Sequence, residues 1–222
     1  KKVAIKDMDG VFRYSIDLLV EQVKKCRELG INAVMLFPVI EDDLKNDKGS
    51  NAIDKNNLIC RCVKEVKAKV GDIGVICDIA LDPFTNHGHD GVLRGDGKIV
   101  DNDKTVKILA KQALNYAKAG CDIVAPSDMM DFTVDEVRKI LDKNDFIDVQ
   151  IMSYSAKFAS NYYGPFRSAL DLKNNKNDKK NYQLDFRNND EFLNKIESDI
   201  NFGADAIIVK PALPYLDVIS KA

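Results

Sequence analysis

The feature that most constrains this chain is a regular alternation of amphipathic helices with short, largely apolar runs. The runs are Ala33 to Pro38, Gly74 to Leu81, Cys121 to Pro126, Asp148 to Met152 and Ala206 to Val209. Each is too short for a helix and apolar on both faces, as a strand covered on both sides must be. Between them lie helical patterns. Ser15 to Gly30 carries an apolar face of Ile16, Leu19, Val20, Val23 and Cys26, with Ser15 as N-cap. Leu58 to Val70 and Asp103 to Gly120 follow. Thr133 to Asn144 opens with Thr133 as cap and Glu136 three residues on, the spacing of a capping box. Asp190 to Phe202 ends at Gly203, and the residues up to Ala222 start another helix. Glu41 to Asn57 and the stretch from Asp82 to Asp101 read as polar loops. Lys173 to Lys180, rich in lysine and asparagine, reads as a mobile surface insert.

Alternating helices and continuous apolar strands predict an α/β chain with a parallel sheet and helices on its outer face. No Gly-x-Gly-x-x-Gly or phosphate-loop motif is present, which disfavours an open nucleotide-binding sheet. A (β/α)8 TIM barrel is the better reading, although only about five of its eight strands are visible. The barrel is expected to be incomplete at the end and at the start.

The balance of 33 basic and 35 acidic side chains gives a net charge of −2, so bulk charge favours neither nucleic acid nor a membrane surface. No apolar run reaches the length of a membrane span, and the first residues show no secretory leader pattern. Five cysteines, scattered and odd in number, point to free thiols in a reducing compartment. Cys60 and Cys62 read as reduced helix cysteines, not a metal pair.

Polar and reactive residues gather just after the strands, where barrels place their sites. Lys157 and Lys210 each end a strand. A buried amine loses its charge easily and then attacks ketones or aldehydes to form a Schiff base. Lys157 is expected among Tyr154, Phe158, Tyr162 and Tyr163. With period-two alternation Asp78, Ala80 and Asp82 point to one side, the barrel interior. Asp90, after a glycine turn, is placed to fold back towards Asp82, and such carboxylates suit Mg²⁺ or another hard cation better than Zn²⁺. The competing reading has His87, His89 and Asp90 bonding one another within their loop. Arg167, after Gly164-Pro165, is either a clamp for a substrate carboxylate or a solvated surface charge.

These residues sit in five order-preserving motifs: DIALDPFTNHGHDGVL (78–93), VAPSDMMD (124–131), MSYSAKFAS (152–160), YGPFR (163–167) and VKPALPYLD (209–217). Together they resemble the δ-aminolevulinic acid dehydratase, or porphobilinogen synthase, family from about Gly10 to Ala222. The resemblance implies a lyase that condenses two 5-aminolevulinate molecules to porphobilinogen, the pyrrole precursor in haem and chlorophyll biosynthesis. It implies a homo-octamer built of dimers, soluble in the cytoplasm or a plastid. Lys157 and Lys210 match the family's two Schiff-base lysines, and Arg167 and Lys179 its carboxylate grip. Asp78, Ser127, Tyr163, Phe166 and Gln183 match pocket positions, with residues 160 to 183 as a lid.

Zinc-dependent members carry cysteines where this chain has Ala80, Asp82 and Asp90, so no thiolate zinc site is expected. Mg²⁺ or a monovalent cation is implied instead, with Asp90 and Asp82 or Asp128 as ligands. Lys195 stands where many members place a glutamate for an activating magnesium. By the same resemblance residues 1–222 are one barrel domain without the family's N-terminal arm, first strand and last strands. Two other functions remain consistent with the residues alone: an aldolase-like lyase using one Schiff-base lysine, and a non-catalytic barrel fragment.

Overall fold

In the computed structural model, residues 1–171, 179–188 and 190–222 are described. A short antiparallel hairpin comes first, β1 (Lys2–Ala4) paired with β2 (Phe12–Tyr14). Helices and strands then alternate: α1 (Ile16–Glu28), β3 (Ala33–Leu36), α2 (Leu58–Val70), β4 (Gly74–Ile79), α3 (Asn102–Ala119), β5 (Ile123–Pro126), α4 (Thr133–Lys143) and β6 (Gln150–Lys157). The short α5 (Gly164–Ala169), α6 (Glu191–Asn201), β7 (Ala206–Lys210) and α7 (Leu216–Lys221) complete the order. Strands β3 to β7 form one five-stranded sheet in sequence order, each pair parallel. This is the wall of a (β/α) barrel, as the alternation predicts.

The strands have two differently used faces. Val75, Cys77, Ile79, Val124 and Ile151 are buried against Val63, Val66, Leu109, Ala113, Val137 and Leu141 of the helices. Asp78 lies outside this cluster although it shares β4 with Cys77 and Ile79, because alternate side chains of a strand face opposite ways. The oily layer between sheet and helices is therefore closed, and the other face is free for polar groups.

Two of the units also begin their strands with the same polar device. Asp122, just before β5, accepts a hydrogen bond from the Val75 N–H (2.7 Å) and pairs with Lys67 (2.9 Å). Asp205, just before β7, accepts one from the Ile151 N–H (2.8 Å). These carboxylates bond to backbone N–H groups near the starts of β4 and β6. Gly120, at φ 102°, turns α3 into β5 in a conformation that L side chains resist.

Two local expectations need correction. Thr133 does not cap α4; Phe132 holds the N-cap position without a side-chain bond. The Thr133 hydroxyl donates to Asp128 Oδ1 instead (2.8 Å), so the carboxylate competes successfully for the hydroxyl and no capping box forms. β6 runs on to Lys157, past the expected end at Met152, because the outward-facing Ser153 and Ser155 find a buried partner. The loop between β3 and α2 contains two 3-10 turns, Asp42–Leu44 and Ser50–Ile53.

Leu109 is fully buried, so Leu109→Ala in the full-length protein should cost about 2–5 kcal/mol. Leu29 is 81% exposed. Its replacement by alanine should change stability by no more than about 0.5 kcal/mol. Urea unfolding followed by circular dichroism distinguishes the two; equal costs would contradict this assignment of the core.

Candidate active site

The carboxyl ends of β4, β6 and β7 meet at one small cavity. It is lined by Asp82, Lys157, Tyr163, Phe166, Arg167, Lys179, Gln183 and Lys210. Lys157 and Lys210 are lateral partners in the β6–β7 pairing and open into this same space.

Their surroundings differ. The Lys157 amine is buried, donates to the Ser127 carbonyl and stands 3.8 Å from Asp90 Oδ1. The Lys210 amine sits in a cage of rings, 3.9 Å from the Phe166 centroid, 5.1 Å from Tyr154 and 5.7 Å from Tyr163. Burial, helped by the nearby Lys157 charge, lowers its pKa from 10.5 to about 8. At neutral pH about a tenth of such a group is free amine.

Three aspartates face these amines. Asp78 is raised to about 7, first by burial and then by Asp82, against the opposing pull of Lys157 and Lys210. It exchanges a proton readily near neutrality. Lys179 lies between the other two, 3.1 Å from both Asp82 Oδ2 and Asp90 Oδ2. Burial raises Asp82 above its ordinary value, only partly opposed by Lys179. Burial pushes on Asp90 too, but Lys157 and Lys179 together outweigh it and hold that carboxyl low. Asp90 is therefore the better-settled anion of the pair. It is held mainly by the charges of Lys157 and Lys179, with Lys179 and Tyr182 as its hydrogen-bonding neighbours.

Local sequence explains how these groups are placed. Gly91 allows the loop after Asp90 to lie flat on α3: a Cβ there would meet Thr105 Oγ1 and Val100 Cγ1 at 2.5 Å each. The Tyr182 hydroxyl lies 3.2 Å from His89 Nδ1 and accepts from the Asp90 N–H at 3.3 Å. Leu184 N–H donates to the Lys157 carbonyl (3.0 Å), which lays the 179–184 segment over the end of β6. The Tyr163 hydroxyl reaches the carbonyls of Phe158 (2.6 Å) and Lys210 (3.1 Å), tying the two lysine-bearing strand ends together.

The structure thus brings Lys157, Lys210, Asp78, Asp82, Asp90, Tyr163, Phe166, Arg167, Lys179 and Gln183 to one region. Ser127 joins through its carbonyl on Lys157 and a hydroxyl bonded to Asp78. Arg167 is half-buried and lines the cavity, with no ion pair among the described residues. His87 and His89 bond within their loop and to Asp47 and Tyr182. Phe158 and Tyr162 do not surround Lys157 as expected. Phe158 stacks on Tyr215 at 4.0 Å on the outer side, and Tyr162 is 70% exposed. Tyr182 escaped the sequence reading because nothing local marks a tyrosine that bonds a loop more than ninety positions away. The Lys173 to Lys180 insert lies outside the described residues except for Lys179 and Lys180.

The expected cation ligands are also differently engaged. Asp128 Oδ1 accepts from the Met130 N–H (2.7 Å) and from Thr133, bracing the start of α4. Asp82 and Asp90 already share the Lys179 ammonium. Among the described residues no group of three or more His, Cys, Asp or Glu side chains gathers to hold a metal. The Lys179 ammonium stands between the two carboxylates, so they would hold a metal ion only with Lys179 displaced. No helix among the described residues is long and apolar enough to cross a membrane. The cysteines are free, with burial pushing Cys60 and Cys62 up to about 11.

A parallel barrel wall with two lysines in one cavity at its strand ends defines an α/β barrel protein with an amine-bearing site. The comparisons narrow that class. The family model described as Delta-aminolevulinic acid dehydratase matches residues 1–222. The chain is 49% identical to the delta-aminolevulinic acid dehydratase of Bradyrhizobium diazoefficiens over 222 residues, all of this chain and 62% of that protein. It is 49% identical over 201 residues to the chloroplastic enzyme of Glycine max, 90% of this chain and 48% of that one. The crystal structure of the Toxoplasma gondii ME49 enzyme, in complex with the reaction product porphobilinogen, superposes with a TM-score of 0.96 at 42% identity. That match covers 99% of this chain and 63% of the other. The chain belongs to the delta-aminolevulinic acid dehydratase family, and it spans less than two thirds of the length of these relatives. Membership implies metal dependence, without fixing the metal.

Lys157→Met removes the second largest cause of the low Lys210 pKa. The Lys210 value should then rise above about 8 yet stay below 10.5, since burial remains. The pH dependence of Lys210 acetylation, read by peptide mass mapping, checks this. An unchanged midpoint would show that the two amines do not sense each other.

Proposed function

We propose that the full-length protein is a porphobilinogen synthase, condensing two 5-aminolevulinate molecules through Schiff bases on Lys157 and Lys210. The observation that carries this reading is the shared cavity: two strand-end amines face one space, one of them with its pKa lowered to about 8. In each imine step the free amine attacks the substrate ketone and the carbonyl oxygen leaves as water. Asp78, with a pKa of about 7, is suited to protonate that leaving oxygen and recover the proton later. The two water molecules lost overall are the oxygens of the two ketones. Burial at this end of the cavity, with the nearby Lys157 charge, favours the neutral Lys210 amine.

Arg167 is the better-placed grip for a substrate carboxylate, since it lines the cavity without a competing acid among the described residues. Lys179 joins that grip only if it is released by Asp82 and Asp90. Gln183 and Ser127 complete the polar lining. Residues 160–171 and 179–183 cover the site as a lid. Residues 1–222 form part of a single barrel domain. The family's cation is inferred to be Mg²⁺ or a monovalent ion and not zinc, because positions 80, 82 and 90 offer no thiolate. No step above is routed through it. Assembly as a homo-octamer of dimers, in the cytoplasm or a plastid, completes the reading.

Borohydride reduction of the full-length protein with 5-aminolevulinate should trap adducts at both Lys157 and Lys210. Trapping at one lysine only, and only by sugar phosphates, would favour the aldolase-like reading. No adduct at either would favour a non-catalytic barrel. Trapping at Lys210 should rise about tenfold per pH unit below about 7, stay nearly level between about 7 and about 8, and fall above that, because it needs both the free Lys210 amine and protonated Asp78. Porphobilinogen formation should survive a zinc-selective chelator; its loss on zinc removal alone would overturn the cation assignment.

A further inference from the structure

β6 and β7 pair in register at Met152–Ala206 and Ser153–Ile207, slip between Ser153 and Ala156, and resume at Ala156–Val209 and Lys157–Lys210. β6 therefore contains one residue more than its partner over this interval, a bulge. In an unbroken strand Tyr154 and Lys157 would face opposite sides. The bulge puts both on the cavity side, with the Lys157 amine 5.8 Å from the Tyr154 ring centroid.

On the outer side the bulge meets Asp199 of α6. Asp199 Oδ2 accepts from Ser153 Oγ at 2.8 Å and from Ser155 Oγ at 2.7 Å, one serine at the start of the slip and one within it. Its Oδ1 accepts from Lys195 Nζ at 2.6 Å. Asp199 is 2% exposed and Ser155 is 0% exposed. A buried carboxylate with three donors is strongly held, and its bonds are charge-assisted. The aspartate is one helical turn from Lys195, so the ion pair fixes its rotamer.

We propose that Asp199 is a positioning residue for Lys157: through Ser153 and Ser155 it clamps the β6 bulge from outside the barrel and so fixes where the Lys157 amine enters the cavity. This rests on the reading of Lys157 as an imine-forming lysine. Lys210, on the regularly spaced β7, lies outside the clamp. The clamp therefore acts on one of the two amines.

The test uses the full-length protein with Ser155→Ala and Asp199→Asn. Two measurements are made on each: competitive acetylation of all lysines, and borohydride trapping with 5-aminolevulinate, both mapped by peptide mass. Trapping at Lys157 should fall about tenfold while the Lys210 rate changes far less, since small misplacements of a reacting group cost up to on the order of a hundredfold. The Lys157 to Lys210 acetylation ratio should shift with it. A parallel change at both lysines, in step with lost thermal stability, would make Asp199 simple helix-to-sheet glue and overturn the proposal. No change at either would overturn it too. If Asp199→Asn does not fold, Ser155→Ala decides, because Asp199 there keeps Ser153 and Lys195. If the unsubstituted protein takes no substrate adduct, the imine reading fails, while the acetylation ratio still reports whether Asp199 sets Lys157.

Discussion

The structure depends on keeping several opposite charges in a nearly dry chamber at the end of one sheet. Lys157, Lys179, Asp78, Asp82 and Asp90 are all buried there. Taking each ion from water costs several kcal/mol even after relaxation, so they persist only by sharing charge or giving it up. Both outcomes occur. Lys179 stays charged between two carboxylates, and Asp90 stays charged between two ammonium groups. Asp78 and Lys210 move instead towards neutrality, at about 7 and about 8. The shift from 10.5 to about 8 corresponds to roughly 3 kcal/mol against the charged form of Lys210. The same constraint thus creates both the fixed ions and the reactive neutral groups.

The fold meets this constraint by separating two jobs along each strand. At the starts, Asp122 and Asp205 bond to the backbone of neighbouring strands and carry only structure. At the ends, the backbone is spent on holding side chains in place. Leu184 and Tyr163 bond to the terminal carbonyls of β6 and β7, and Gly91 presses the Asp90 loop onto α3. The outer faces of β4 and β5 stay apolar, so charge on these strands is confined to the inner side and the two ends.

Much of this was legible in the residues. Continuous apolar runs pointed to the five parallel strands, and period-two alternation put Asp78 on the cavity side, while Asp82 reaches the cavity from the loop after β4. What failed to show depended on long-range partners. Ser153 and Ser155 look like the end of a strand until Asp199 is seen behind them. Asp128 resembles a ligand in a motif and Thr133 a helix cap, yet in space each satisfies the other. Nothing in the loop that carries Asp82 and Asp90 announces that Lys179 lies between them. Local sequence reports which charges a loop carries; it does not report which distant side chain neutralises them.

The difference between the two lysines bears on the chemistry. The proposed condensation joins two copies of one substrate in unlike roles, and two identical sites would give no basis for that asymmetry. Here the unlikeness is built into adjacent strands. Lys157 ends a bulged strand and lies against a backbone carbonyl and a settled carboxylate. Lys210 ends a regular strand among aromatic rings, and its burial there favours the free amine. One residue of slip in β6 places two chemically distinct amines side by side, and the ring-lined one needs no proton acceptor of its own to become a nucleophile near neutral pH.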